Sequence, residues 1–242
     1  FEYIHFISIS SEHDYDSGSS QYAWFENDLE DANENRENVP WIIVFAHRPM
    51  YSSNGDGDGH GSEIEFREAM ESLLFDYNVD LAIWGHDHHY ERTHPVFEEQ
   101  VYANNTGSYE DPYYLPGAPI HIVAGMAGRS VYDGFEEPQP DWSAYRELSY
   151  GYTQFEVTKS GTLHYEFIRN SDGIVSDEFW IVQSLDYEPS GTDYPETGTN
   201  QTNETEEKDI IDKIKELNYA NAPISILIVT VVAIFKSRLR EV

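Results

Sequence analysis

Cysteine is absent from this chain of 242 residues, and basic residues are scarce: 14 Lys and Arg against 45 Asp and Glu, a formal net charge of −31. Without cysteine there are no disulfides and no thiolate ligands, so a metal would have to be held by nitrogen and oxygen. The charge excludes a surface that attracts nucleic-acid phosphates and repels any anionic ligand at long range. An anion bound here needs a local source of positive charge, such as a metal ion. Aliphatic residues are also nearly missing from one stretch, Leu185 to Asp209, where Asp, Glu, Thr, Gly and Pro predominate. Such a composition cannot bury enough apolar surface to order itself and reads as a stalk. The length suits one domain plus appendages.

What is present is histidine in a telling place. Two apolar runs, Trp41 to Phe45 and Val79 to Trp84, read as buried strands. Each is followed at once by histidine: Ala46-His47-Arg48-Pro49 after the first, Gly85-His86-Asp87-His88-His89 after the second. Histidines just past strand ends can converge at one sheet edge, where imidazole nitrogens bind transition metals. If the backbone stays extended, His86 and His88 point the same way and His89 the other. Gly85 is expected to supply the sharp turn out of the strand. His47, His86 and His88 together read as half of a metal site.

Several blocks around these histidines resemble the purple acid phosphatases, a family of calcineurin-like metallophosphoesterases. They are Phe45 to Ser53, Val79 to His88, Tyr90-Glu91-Arg92-Thr93 and His121 to Gly128, supported by Ser17 to Leu29, Leu163 to Phe167 and Asp177 to Val182. The likeness runs over about residues 1 to 182. It implies a binuclear centre in which His47 and His86 hold a divalent metal (zinc, manganese or iron) and His88 holds Fe(III). A hydroxide on that pair would attack the phosphorus of a phosphate monoester in line. Histidine suits the divalent ion, and the harder Fe(III) prefers carboxylate and phenolate. The family's aspartate, Gly-Asp-x-x-Tyr and Gly-Asn-His blocks have no counterpart here, so the resemblance implies the C-terminal half of a catalytic domain. On that reading residues 1–242 alone are expected to fold poorly and to be inactive, because half a sheet exposes an unpaired edge. A family histidine that helps protonate the leaving group lies about ten residues past the first ligand histidine. That position is Gly57, and His60 is the nearest candidate.

Other segments give more structural readings. Asn54, Asp56, Asp58, Gly59, Ser62 and Glu65 match an EF-hand loop spacing, but Gly61 stands where an apolar residue is needed and no helix precedes the loop, so calcium is not the expected ion. Phe66, Met70, Leu73, Leu74 and Tyr77 form one helical stripe within Glu63 to Tyr77. Tyr22, Phe25, Leu29 and Ala32 form another, with Ser19 or Ser20 as the N-cap. Glu91 and Arg92 are either partners that orient the imidazoles or members of a buried ion pair that fixes the turn. Tyr150 to Val157, the Ser160-Gly161 turn and Leu163 to Asn170 read as a hairpin, with a last strand at Phe179 to Val182. The fold class expected is α/β, the C-terminal half of a metallophosphoesterase sandwich.

The C-terminus supplies the expected location. Residues 1–184 form the catalytic part, 185–218 an acidic stalk ending in a short amphipathic helix, 219–235 an uncharged segment and 236–242 a basic tail. Seventeen residues, Tyr219 to Phe235, are at the short limit for a membrane span. Lys236, Arg238 and Arg240 would keep the C-terminus cytoplasmic and the catalytic part outside or lumenal. Asn104, Asn200 and Asn203 open N-glycosylation triplets that agree with this. A homodimer is in keeping with the resemblance. Two rivals to a phosphate monoesterase are kept in view: a metallophosphodiesterase of the same superfamily, and an inactive cell-surface binding module.

Overall fold

A computed structural model describes residues 3–55, 60–103, 105–132 and 134–183. The proposed stalk, the 219–235 segment, the basic tail, Asn104, Asn200 and Asn203 lie outside them. Among the described residues no helix is long and apolar enough to cross a membrane.

The elements in chain order are β1 (Ile4–Ser8), α1 (Ser20–Glu34), β2 (Trp41–Ala46), α2 (Ile64–Asp76), β3 (Leu81–Trp84), β4 (Tyr90–Thr93), β5 (Val96–Phe97), β6 (Gln100–Val101), β7 (Tyr113–Tyr114), β8 (Ile120–Ala124), β9 (Ser143–Glu147), β10 (Gly151–Val157), β11 (Thr162–Arg169) and β12 (Val175–Val182). A six-stranded sheet has the order β1-β2-β3-β8-β4-β9. Its first four strands run parallel, and β4 and β9 add antiparallel. A second sheet has the order β10-β11-β12-β7.

The central strands are apolar on both faces because both faces are covered. Trp41, Ile43, Leu81, Ile83, Ile120 and Ile122 pack against Phe155, Leu163, Tyr165, Phe167, Phe179 and Ile181 of the second sheet. The alternate residues Ile42, Val44, Ala82 and Trp84 pack against Phe25 and Leu29 of α1 and Phe66, Met70 and Leu74 of α2. The result is three layers, helices over sheet over sheet. Ser19 caps α1, its hydroxyl accepting from the Tyr22 N–H at 3.0 Å.

The two sheets are also tied by charge. Arg92 on β4 donates through Nε and Nη2 to the two oxygens of Asp177 on β12, at 2.7 and 2.8 Å, and through Nη1 to the Tyr113 hydroxyl at 2.9 Å. Asp177 also accepts from the Tyr90 hydroxyl at 2.8 Å. A bidentate fork of this kind is the strong form of an Arg–carboxylate pair.

Candidate metal centre

Parallel strands deliver their C-terminal ends to one edge of a sheet, and the loops leaving those ends carry the chemistry. His47 leaves β2, and His86 and His88 leave β3, two adjacent parallel strands. The loops are locked together where they emerge, since the Gly85 N–H donates to the His47 carbonyl at 2.9 Å. His86 Nδ1 and His47 Nε2 are then 3.0 Å apart, the N–H of one ring directed at the other, with ring centroids separated by 4.7 Å.

The turn out of β3 differs from the expectation. The left-handed residue is His86 itself, at φ +64°, in place of a turn at Gly85. The segment is not extended: the Asp87 N–H donates to the Gly85 carbonyl at 2.8 Å and the His89 N–H to the Asp87 carbonyl at 2.9 Å. A non-glycine residue held in that region is strained, and such strain concentrates at functional sites. Here it turns the His86 ring toward His47. The glycine that the turn does require is Gly125, after β8. A methyl group there would sit 1.9 Å from the Asp87 carbonyl oxygen, so only glycine lets the two loops pass.

The three histidines differ in what they still offer. His47 Nδ1 and His86 Nε2 are buried without a hydrogen-bond partner. His88 donates from Nδ1 to the Ser130 carbonyl at 3.2 Å, which leaves the lone pair on Nε2. That contact is the usual way in which an outer group fixes the tautomer of a metal-binding histidine. Burial lowers the pKa of all three. It acts on His86 together with its neighbour His47 and brings that ring to about 4. Neutral rings are what a cation needs as ligands. Buried, unpartnered and neutral nitrogens therefore fit a divalent metal of the borderline class.

His60 joins this group from the loop after β2. Its ring lies 4.6 Å from that of His86 and 6.5 Å from that of His88, and it forms with His86 and Asp87 a set of donors close enough to share one ion. Arg48, beside His47, is occupied at the rim. It donates to Glu12 at 2.7 Å and to Glu63 at 2.5 Å.

Glu91 and Arg92 are placed away from the three candidate ligands. Arg92 is committed to Asp177 and Tyr113 between the sheets. Glu91, fully buried, accepts from the Ser53 N–H at 2.7 Å, from the Ser53 and Ser143 hydroxyls at 2.6 Å each, and from His89 Nε2 at 3.2 Å. Burial works against its charge, but these donors hold its pKa below the usual value. Glu91 thus ties His89 to Ser53 of the loop after β2 and to Ser143, while the ion pair of Arg92 is with Asp177. Of the calcium-spaced positions, Asp56, Asp58 and Gly59 lie outside the described residues. The Ser62 hydroxyl is taken up by the Ser52 backbone, accepting at 2.9 Å and donating at 3.1 Å.

Sequence reading passed over Asp87, Ser130, Tyr132 and Asp177. Asp87 carried the clearest signal, a carboxylate wedged between two candidate ligands.

Comparison with known proteins identifies the family. The calcineurin-like phosphoesterase family model matches residues 2–90, and the iron/zinc purple acid phosphatase-like protein C model matches residues 118–178. Acid phosphatase type 7 of Danio rerio is 40% identical over 178 residues, covering 67% of this chain and 40% of that protein. A probable inactive purple acid phosphatase 1 of Arabidopsis thaliana is 38% identical over 185 residues, covering 75% of this chain and 29% of that protein. Among solved structures, purple acid phosphatase from yellow lupin (Lupinus luteus) seeds superposes with a TM-score of 0.69 at 29% identity, over 76% of this chain and 32% of that one. The chain therefore spans well under half the length of the relatives it matches. It belongs to the purple acid phosphatase family of calcineurin-like phosphoesterases.

Proposed function

We propose that this chain carries the histidine half of a binuclear metal centre in a protein that hydrolyses phosphate monoesters. The observation that carries the reading is that His47 and His86, on loops leaving adjacent parallel strands, meet at one sheet edge with one buried, unpartnered nitrogen each, and that His88 follows two residues on with its Nδ1 on the Ser130 carbonyl. Within it, His47 and His86 hold a divalent ion (Zn, Mn or Fe) and His88 contributes to Fe(III). When bound, the metal pair supplies positive charge for the phosphate and acidifies a water that becomes the nucleophile. The chain's own residues do the rest. Gly85 ties the loop after β3 to the loop after β2, Gly125 lets the loop after β8 pass against Asp87, Ser130 orients His88, and His60 stands beside the cluster where it can give a proton to the leaving oxygen.

The surroundings of this centre are also proposed. The 219–235 segment anchors the protein in a membrane, with the catalytic part outside or lumenal, the C-terminus cytoplasmic, and sugars on Asn104, Asn200 and Asn203. Extraction that needs detergent, together with a mass loss on deglycosylation, supports this placement.

A second reading, a protein that keeps the fold without turnover, is supported by the probable inactive Arabidopsis relative. One assay separates the two. The whole protein is purified, its metals are counted, and hydrolysis of p-nitrophenyl phosphate is followed at acidic pH. Two metals with turnover support the phosphatase. A folded protein without turnover, with or without metal, overturns the phosphatase and supports the second reading, and turnover overturns the second.

A further inference from the structure

Asp87 is a residue of this site to which the strand pattern assigns no role. It lies between His86 and His88 and is fully buried. Its Oδ2 accepts from the Ser52 hydroxyl and from the Gly61 N–H at 3.0 Å, and its Oδ1 faces His60 Nδ1 at 3.3 Å. The Tyr132 hydroxyl meets the same His60 nitrogen at 3.0 Å. Tyr132 is itself tied to the ligand loop. Its ring stacks on His88 with centroids 4.8 Å apart, and its N–H donates to the His88 carbonyl at 3.1 Å. Two side chains from separate segments thus face one nitrogen of His60, the Tyr132 hydroxyl in a hydrogen bond and the buried Asp87 Oδ1, which has no hydrogen bond of its own, at ion-pair distance; each is fixed to the segment that bears His86 and His88.

Burying a carboxylate costs free energy, and an apolar residue would fill the same space more cheaply. A carboxylate on the far nitrogen of an imidazole is, however, the recurring way to fix that ring for proton transfer. We propose that Asp87 and Tyr132 are positioning residues that hold His60 through Nδ1, so that Nε2 delivers the proton to the leaving alcohol. The inference rests on the phosphate-monoesterase reading. As the oxygen of water bonds to phosphorus, the ester P–O bond breaks and its electron pair stays on the leaving oxygen. That oxygen takes the proton from His60 Nε2, alcohol and phosphate depart, and His60 regains a proton from solvent.

The test uses the whole metal-loaded protein and two esters. Glycerol 2-phosphate leaves as an alkoxide and needs the proton; p-nitrophenyl phosphate leaves as a stabilised phenolate and needs it far less. General acids contribute about 10²–10⁴-fold. His60→Ala is expected to lower kcat for glycerol 2-phosphate about a hundredfold and Asp87→Asn about tenfold. Both losses should be at least about tenfold and threefold smaller, respectively, on p-nitrophenyl phosphate. KM and metal content should hold, and the double variant should be no slower than His60→Ala alone. Equal losses on both esters, multiplied losses in the double variant, or metal lost from Asp87→Asn would overturn the proposal. If Asp87→Asn does not fold, Tyr132→Phe carries the test: a loss confined to glycerol 2-phosphate supports the positioning role, and an equal loss on both esters overturns it. A wild-type protein that hydrolyses neither ester overturns the monoesterase reading itself. A wild-type protein that turns over while His60→Ala matches it overturns only this inference.

Discussion

Replacing Arg92 by alanine should cost this domain more than any surface change, and the structure says by how much. Arg92 and Asp177 are both nearly inaccessible, with side-chain exposures of 7% and 5%, and they are joined by two hydrogen bonds. Removing one member of such a pair strands the other charge, at about 3–5 kcal/mol. The Tyr90 hydroxyl stays on Asp177, but one neutral donor does not replace a guanidinium. Lost as well is the packing of the guanidinium 5.0 Å from the centre of the Phe179 ring. In a domain of this size 1 kcal/mol moves the midpoint by about 2–4 °C, so the expected drop is about 6–20 °C. Thermal and urea unfolding followed by circular dichroism read it directly. The decisive comparison is Arg92→Met with Asp177→Leu, which removes both charges and should recover most of the loss. A single-variant cost under about 1 kcal/mol, or a double variant worse than Arg92→Ala, would refute the reasoning. The metal bound per folded molecule should not change, because this pair lies between the sheets and not at the histidines.

Three further outcomes are expected. In the whole protein His88→Ala should lower metal affinity by more than the about 10–100-fold that follows loss of an outer-shell partner, and turnover with it; unchanged metal content removes His88 from the ligand set. Gly125→Ala must push the Asp87 carbonyl aside, so it should cost about 1–3 kcal/mol and weaken metal binding; calorimetry showing wild-type affinity would contradict the close approach. The metal-free protein should lose stability on acidification. Burial holds His121 at about 3, against about 6.5 in the unfolded chain, so between those values the unfolded state binds more protons. Stability then falls as pH drops below about 6.5, by up to about 1.4 kcal/mol per pH unit for this residue, and the slope ends below the folded value. His121→Gln, which keeps an acceptor for the Trp84 Nε1–H, should flatten the profile of urea midpoints between pH 4.5 and 7. An unchanged slope would remove His121 from the account.

The elements that were legible in the sequence are those whose burial leaves a pattern. Trp41–Ala46 and Leu81–Trp84 are covered on both faces and so read as unbroken apolar runs. Phe25, Leu29 and Ala32, and Phe66, Met70 and Leu74, mark helices buried along one stripe. Tyr90–Thr93 was not legible as a strand. It is buried throughout, but its Glu91, Arg92 and Thr93 are buried by polar partners that come from distant segments. The β5–β6 hairpin was missed for a different reason. Its two-residue turn is Glu98-Glu99, both at positive φ, where Asn-Gly would have announced it. The Tyr51 hydroxyl, Arg67 and Glu71 hold that turn in place, which is also why the last two are buried charges inside the α2 stripe. In the site, the ligand candidates were legible because histidine after a buried strand is chemically conspicuous. Their supports were not: Ser130, Tyr132 and Gly125 reach the histidines only through folding of segments more than thirty positions away.

The electrostatics of the site follow from the same contacts. The chain is strongly acidic, and several cationic side chains of the described structure are engaged by carboxylates, Arg48 by Glu12 and Glu63, Arg92 by Asp177 and Arg146 by Glu137, while the exposed Arg129 lies close enough to His88 to help lower its pKa. The histidines at the sheet edge are kept neutral by burial. A phosphate ester therefore meets neutral nitrogen donors at the cluster, set in a chain that repels it at long range. On the proposed reading what draws it in is short-ranged and localised near the imidazoles, and a bound cation, with Arg129 beside His88, has both properties. The neutral rings, which carry no charge to attract a phosphate ester themselves, are the ones able to hold that cation, so on the proposed reading the loaded metal contributes to recognition as well as to chemistry.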